Sequence, residues 1–146
     1  MTFAADEDET LHVKQLLESS RLVTLLAEND RKTSLALAAG AKLMEEFSDG
    51  VWFVELAPIK DPAAVPARVA FILGVPASPD RTLIRSLMEY LGEKNSLFIL
   101  DQCDHLRGAC AQLAETILGT CPEIRILTTG REPLNLLGET CYRVPL

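Results

Sequence analysis

The chain has 146 residues, enough for one domain with a buried core, and 48% are apolar against 24% charged, the balance of an ordinary globular protein. A net charge of −7 argues against general binding to nucleic acid or an anionic membrane, because phosphate-rich partners would be repelled. The acidic start, MTFAADEDET, is the reverse of a basic secretory leader, and no apolar run has the length to span a bilayer, so a cytoplasmic protein is expected.

Residues 1–9 are acidic and expected to be disordered, with a single domain over 10–146. In 10–19 (TLHVKQLLES), Leu11, Leu16 and Leu17 fall roughly on one face and predict a short helix. RLVTLLA (21–27) is a continuous apolar run of strand length, and 31–47 is an alanine-rich helix closed by Ser48-Asp49-Gly50. VWFVEL (51–56) reads as the second strand, and 62–73 and 80–91 as two helices parted by Gly74-Val75-Pro76. SLFILD (96–101) is a third strand, 104–119 a helix, EIRILTT (123–129) a fourth strand, and TCYRVPL (140–146) a fifth after the loop 131–139. Cys103, Cys110, Cys121 and Cys141 include no CxxC pair, and with His12 and His105 they make no zinc set. They read as small apolar residues in a reducing compartment.

Strands alternate with helices throughout, and three strands are apolar on both faces. That pattern predicts an α/β fold, a parallel five-stranded sheet covered by helices on both sides. Ligands of such sheets bind at the carboxyl ends of the strands. Lys32-Thr33 follow the first strand, Asp101 ends the third, and Thr128-Thr129-Gly130-Arg131 end the fourth. These are the parts of a nucleoside triphosphatase: a lysine on the β- and γ-phosphates, a hydroxyl and a carboxylate on Mg²⁺, and an arginine near the γ-phosphate.

The stretches DGVWFVELAPIKDPAAVPARVAFILGVP, LFILDQCDHL and EIRILTTGREPLNLLGETCYRVPL resemble, in order and spacing, the NB-ARC-like domain of signal-transduction ATPases with numerous domains (the STAND class). The likeness is nearest to the modules of bacterial LuxR-type transcriptional regulators. The resemblance implies a P-loop ATPase switching between ATP and ADP, with strand order 2-3-1-4-5. Lys32 and Thr33 match its Walker A lysine and hydroxyl, and Asp101, with Thr33, its Mg²⁺ ligands. Asp104 stands where relatives carry a glutamate before histidine, as a candidate catalytic residue. Arg131 matches the arginine of the Thr-Ser-Arg motif, with Gly130 in place of serine. The helical and winged-helix domains that follow in relatives are expected to be lacking here.

The first motif departs from that pattern. Counting back from Lys32, the glycines of GxxxxGK[ST] fall on Arg31 and Leu26, and the positions of further glycines carry Glu28 and Asn29. Forcing such residues into a glycine conformation costs about 1–3 kcal/mol each, against about −8 kcal/mol for a micromolar ligand. Glu28 and Asp30 add repulsion. Asn29 or Asp30 is expected to cap the following helix where phosphate would sit, and restoring the glycines while replacing Asp30 is expected to create ATP affinity. Asp104 either orients a water or caps its helix, and Arg131 either reads a phosphate or pairs with Glu132 or an exposed carboxylate. The expectation is therefore a degenerate, non-catalytic regulatory or interaction module with no resident cofactor. Its partner would be a protein or a second copy of itself, with no direct nucleic-acid contact and slow ATP hydrolysis at most. The alternative is a weak Mg-ATP/ADP switch.

Overall fold

The computed structural model describes residues 7–145. Residues 1–6 of the acidic terminus therefore lie outside the described residues, while Glu7, Asp8 and Glu9 form the first turn of helix α1 (Glu7–Ser19), where carboxylates suit the positive end of the helix dipole. The chain continues through β1 (Leu22–Leu26), α2 (Arg31–Leu43), a 3-10 turn (Met44–Glu46), β2 (Val51–Glu55) and α3 (Val65–Leu73). It then forms α4 (Leu83–Leu91), β3 (Ser96–Asp101), a 3-10 turn (Asp104–Leu106), α5 (Arg107–Thr120), β4 (Ile124–Gly130) and β5 (Glu139–Arg143).

All five strands are parallel, as the apolar runs joined by helices require. Period-two alternation sorts their side chains onto two cores. Leu22, Phe98, Leu100 and Ile126 face α3, α4 and α5, and Val23, Leu25, Ile99 and Leu127 face α1 and α2. Gly74, at φ 75°, closes α3 in a left-handed C-terminal turn with its amide on the Ala70 and Phe71 carbonyls, a conformation that favours glycine.

The strand order corrects the expectation. It is β2-β3-β4-β1-β5, so β4, not β1, lies beside β3. Both strands are apolar on both faces, and burial therefore demands two neighbours for each without saying which is which. The crossover through α5 lays β4 directly against the strand it leaves. As a result the carboxyl end of β4 stands between the loop after β1 and the end of β3.

Candidate functional site

Between β1 and α2 only Ala27, Glu28, Asn29 and Asp30 intervene. Leu26, at the position of the first motif glycine, is the last strand residue and 6% exposed. Arg31, at the second, is already helical. Among the described residues the only non-glycine positions with positive φ are Gln102 and Asn135. The expected backbone strain in the loop is therefore absent: its path is made by ordinary conformations.

That path satisfies itself. The Asn29 Oδ1 accepts from the Arg31 amide at 2.9 Å, and the Thr33 and Ser34 amides bond to the Asp30 carbonyl at 3.1 and 3.3 Å. Of the two expected caps, Asn29 acts and Asp30 does not: its side chain makes no capping bond. Lys32 is 7% exposed, and its Nζ donates back to the Asn29 carbonyl at 3.0 Å. Arg31 reaches Glu9 of α1 at 3.1 Å and also donates to the Pro145 carbonyl beyond β5. A guanidinium replaces the loop glycine and ties three chain segments together.

Thr33 and Asp101 do meet. The Thr33 hydroxyl donates to the Asp101 Oδ1 at 2.8 Å, and the Thr129 hydroxyl donates to the same oxygen at 2.6 Å. Thr129 Oγ1 in turn accepts from the Gln102 amide at 2.9 Å. Asp101 is 2% exposed and Thr129 fully buried. The sequence marked the Thr128-Thr129 pair without assigning it a contact. β4 delivers the bond because it adjoins β3.

Asp104 and Arg131 form a second pair. The Arg131 amide donates to Asp104 Oδ1 at 2.7 Å, and its Nε lies 3.6 Å from Oδ2. This corrects the expectation that Asp104 caps its helix, and it decides between the partners expected for Arg131: a carboxylate, that of Asp104, and not Glu132, which is bound by Arg107 at 2.6 Å. A Cβ on Gly130 would lie 2.9 Å from Asp104 Oδ1, so the glycine in place of serine makes room for this carboxylate. His105 Nε2 sits 2.8 Å from the Ile59 carbonyl, anchoring the loop after β2. Glu28, Asp104, Arg131 and Glu132 line an open cleft of about 340 Å³.

Two residues outside the expected set shape the surroundings. Glu139, at the start of β5, accepts from Thr24 Oγ1 at 2.6 Å and from the Leu134 and Asn135 amides, both at 2.9 Å, and so holds the 131–138 loop in place. Cys103 is buried behind Asp101. Its Sγ donates to the Leu100 carbonyl at 3.3 Å, and the pairing with Cys110, then burial, then the charges of Cys110, Asp101 and Asp104 push its thiol well above the ordinary value.

The arrangement does not fit a triphosphate. The lysine ammonium and the Arg31, Thr33 and Ser34 amides bond within the loop, and at the cleft beside them, next to Glu28, the guanidiniums of Arg131 and Arg107 are already engaged by Asp104 and Glu132. Asp101 and Thr33 have the hard oxygens that Mg²⁺ takes, and no group of three or more His, Cys, Asp or Glu side chains able to hold a metal gathers among the described residues.

No family model matches the chain. In sequence it is 42% identical over 134 residues to the Mycobacterium bovis protein named "Putative HTH-type transcriptional regulator Mb0914c", a match covering 91% of this chain and 15% of that protein. The chain thus spans about a sixth of that relative's length. In structure it resembles Cdc6p from Pyrobaculum aerophilum (TM-score 0.62, 16% identity, 93% of this chain and 44% of that one). It also resembles the ORC2 protein of Aeropyrum pernix, solved in ADPNP-ADP complexes (TM-score 0.58, 14% identity, 86% and 40%). The fold is that of a P-loop NTPase-like domain.

Proposed function

We propose that this domain is a regulatory module that keeps the P-loop NTPase-like fold, has lost nucleotide turnover, and works through protein contacts in a transcription regulator of the NB-ARC-like, LuxR-type kind. The observation that carries this reading is the engagement of Lys32 and the α2 amides by Asn29 and Asp30. The groups that would cradle phosphate are already bonded. The relative named as an HTH-type regulator supports the regulatory role. The net charge of −7 supports leaving DNA contact to another part of such a regulator, and no described helix is long and apolar enough to cross a membrane; a cytoplasmic setting belongs to the same proposal.

Calorimetric titration with ATP and ADP, with and without Mg²⁺, tests the reading. No heat at millimolar nucleotide is expected. Micromolar binding that Lys32→Ala abolishes would overturn it. That result would favour the second reading, a weak nucleotide switch, for which the retained Thr33–Asp101–Thr129 cluster speaks.

A further inference from the structure

Two of the four cysteines share one core. Cys103 follows β3 and precedes the 3-10 turn Asp104–Leu106, and Cys110 lies in the first turn of α5. Both are buried free thiols packed with α3, α4 and α5. A hydrogen bond joins their side chains, which sets one sulfur beside the other. The remaining cysteines lie elsewhere: Cys121 ends α5 with its Sγ 4.0 Å from the Met88 Sδ, and Cys141 is exposed on β5. The main chain on both sides of the pair can yield. Gln102, next to Cys103, has φ 63°, a left-handed conformation that strains a residue other than glycine. It is kept there by its amide on Thr129 Oγ1 at 2.9 Å and by the Cys103 amide on the Thr129 carbonyl at 3.0 Å. α5 begins without a side-chain cap and carries Gly108 in its first turn, both of which lower the stability of a helix end. Local opening there exposes Cys110 to a small solute.

We propose that Cys103 and Cys110 are a redox pair, which a peroxide closes to a disulfide and a thiol reductant reopens, and whose closure moves the turn that carries Asp101 and Asp104. Cys110 is the attacking group, because its contact with Cys103 favours the thiolate. Its sulfur takes one peroxide oxygen as the O–O bond breaks and hydroxide leaves, giving a sulfenic acid. The Cys103 sulfur then attacks the Cys110 sulfur. The S–O bond breaks, and the Cys103 proton leaves with the hydroxyl as water. The sulfurs are oxidised and the peroxide oxygens reduced, with no further reactant. In the reducing setting proposed above, a disulfide of this kind is transient and sensing, not structural. Closure costs the turn its present bonding. The Cys103 Sγ gives up its bond to the Leu100 carbonyl and turns to α5. Asp101, two residues before it, holds Thr33 and Thr129, and Asp104, one residue after it, holds the Arg131 amide. The cleft at the carboxyl end of the sheet therefore responds to the state of the pair.

The experiment is treatment of the folded chain with hydrogen peroxide at neutral pH, followed by tryptic mapping and hydrogen exchange. Trypsin cuts between the two cysteines at Arg107, so a linked pair runs as one joined peptide until dithiothreitol parts it. The expected result is that joined peptide. Exchange at the Gln102 and Arg131 amides should quicken about three- to tenfold, the worth of one hydrogen bond, and return on reduction. Cys110→Ser should give no joined peptide and no peroxide response at either amide, with an unchanged circular dichroism spectrum. Should that variant fail to fold, mapping of the unaltered chain still decides the pairing. A chain whose Cys103 and Cys110 stay reduced, or pair with Cys121 or Cys141 instead, would overturn the proposal. So would a Cys103–Cys110 disulfide that leaves exchange at the turn unchanged. None of these outcomes bears on the nucleotide titration, so the two readings fail separately.

Discussion

Gly130 and Asp104 occupy adjoining space, and each explains the other. A serine at 130 would press its Cβ on the carboxylate oxygen that accepts the Arg131 amide. Gly130→Ser is expected to destabilise the domain by about 1–3 kcal/mol, the range for displacing a partner of a buried or charged hydrogen bond. Combined with Asp104→Ala, most of that loss should vanish, because contacting residues are not additive. Strictly additive urea-denaturation values would show that the two positions do not interact. Thr129 is the more demanding residue of the Asp101 cluster. Thr129→Val removes a donor from a buried carboxylate and an acceptor from the Gln102 amide together. A loss of about 2–4 kcal/mol is expected, above that of Thr33→Val, which breaks one bond. Equal losses would mean that the bond to the Gln102 amide adds nothing.

Cys103 predicts a pH dependence. Its folded value is raised, so the folded chain holds the thiol proton more tightly than the unfolded chain does. That contribution is complete below the unfolded value and is lost as pH rises towards the folded one. Cys110, whose value the same contact lowers, acts in the opposite sense, so of the pair the share of stability lost above the ordinary thiol value is that of Cys103, and Cys103→Ala should remove it. Melting curves across the alkaline range decide it, and an identical slope in the variant would remove Cys103 from the account.

At the scale of elements, the 131–138 loop depends on one side chain from the strand that follows it. The Glu139 carboxylate satisfies two loop amides and ties the loop to β1 through Thr24. Glu139→Ala should speed hydrogen exchange at Leu134 and Asn135 while β1 amides keep their protection. Unchanged loop exchange would mean that the apolar seat of Leu134 holds the loop unaided. Much of this level was legible in the sequence. Period and run length gave the strands and helices, and an acid ending a six-residue apolar run placed Asp101 at the sheet's carboxyl end. The start of a helix at Arg31 placed Lys32 and Thr33 nearby. Strand order was not legible, because β1 and β4 are equally apolar and local pattern carries no information about which one β3 bonds. Nor were the partners of Asp104 and Arg131: two long-range charges meet there across β4 and α5, and no spacing rule encodes that.

For the whole molecule, the loop after β1 is held from outside as well as from within. Arg31 binds Glu9 in α1 and the Pro145 carbonyl past β5, while Glu9 also lies 3.5 Å from the Tyr142 hydroxyl. Arg31→Gly is expected to lower stability by about 1–2 kcal/mol, from lost hydrogen bonds and lower helix propensity, and to loosen both chain ends in hydrogen exchange. The same variant should still not bind ATP, because Asn29 and Lys32 keep the loop closed. Nucleotide binding by Arg31→Gly alone would contradict the self-closed loop.

The arginine also bears on whether a glycine-rich loop can be built at this position. Restoring a glycine-rich loop would require replacing Leu26, which is packed in the sheet, and Arg31, which fastens the helix before β1 and the segment after β5. Each step taken singly would lower stability before any phosphate affinity appeared to offset it. On the proposed reading, the residues that close the loop are also structural dependencies of the domain, and single changes alone do not reopen it.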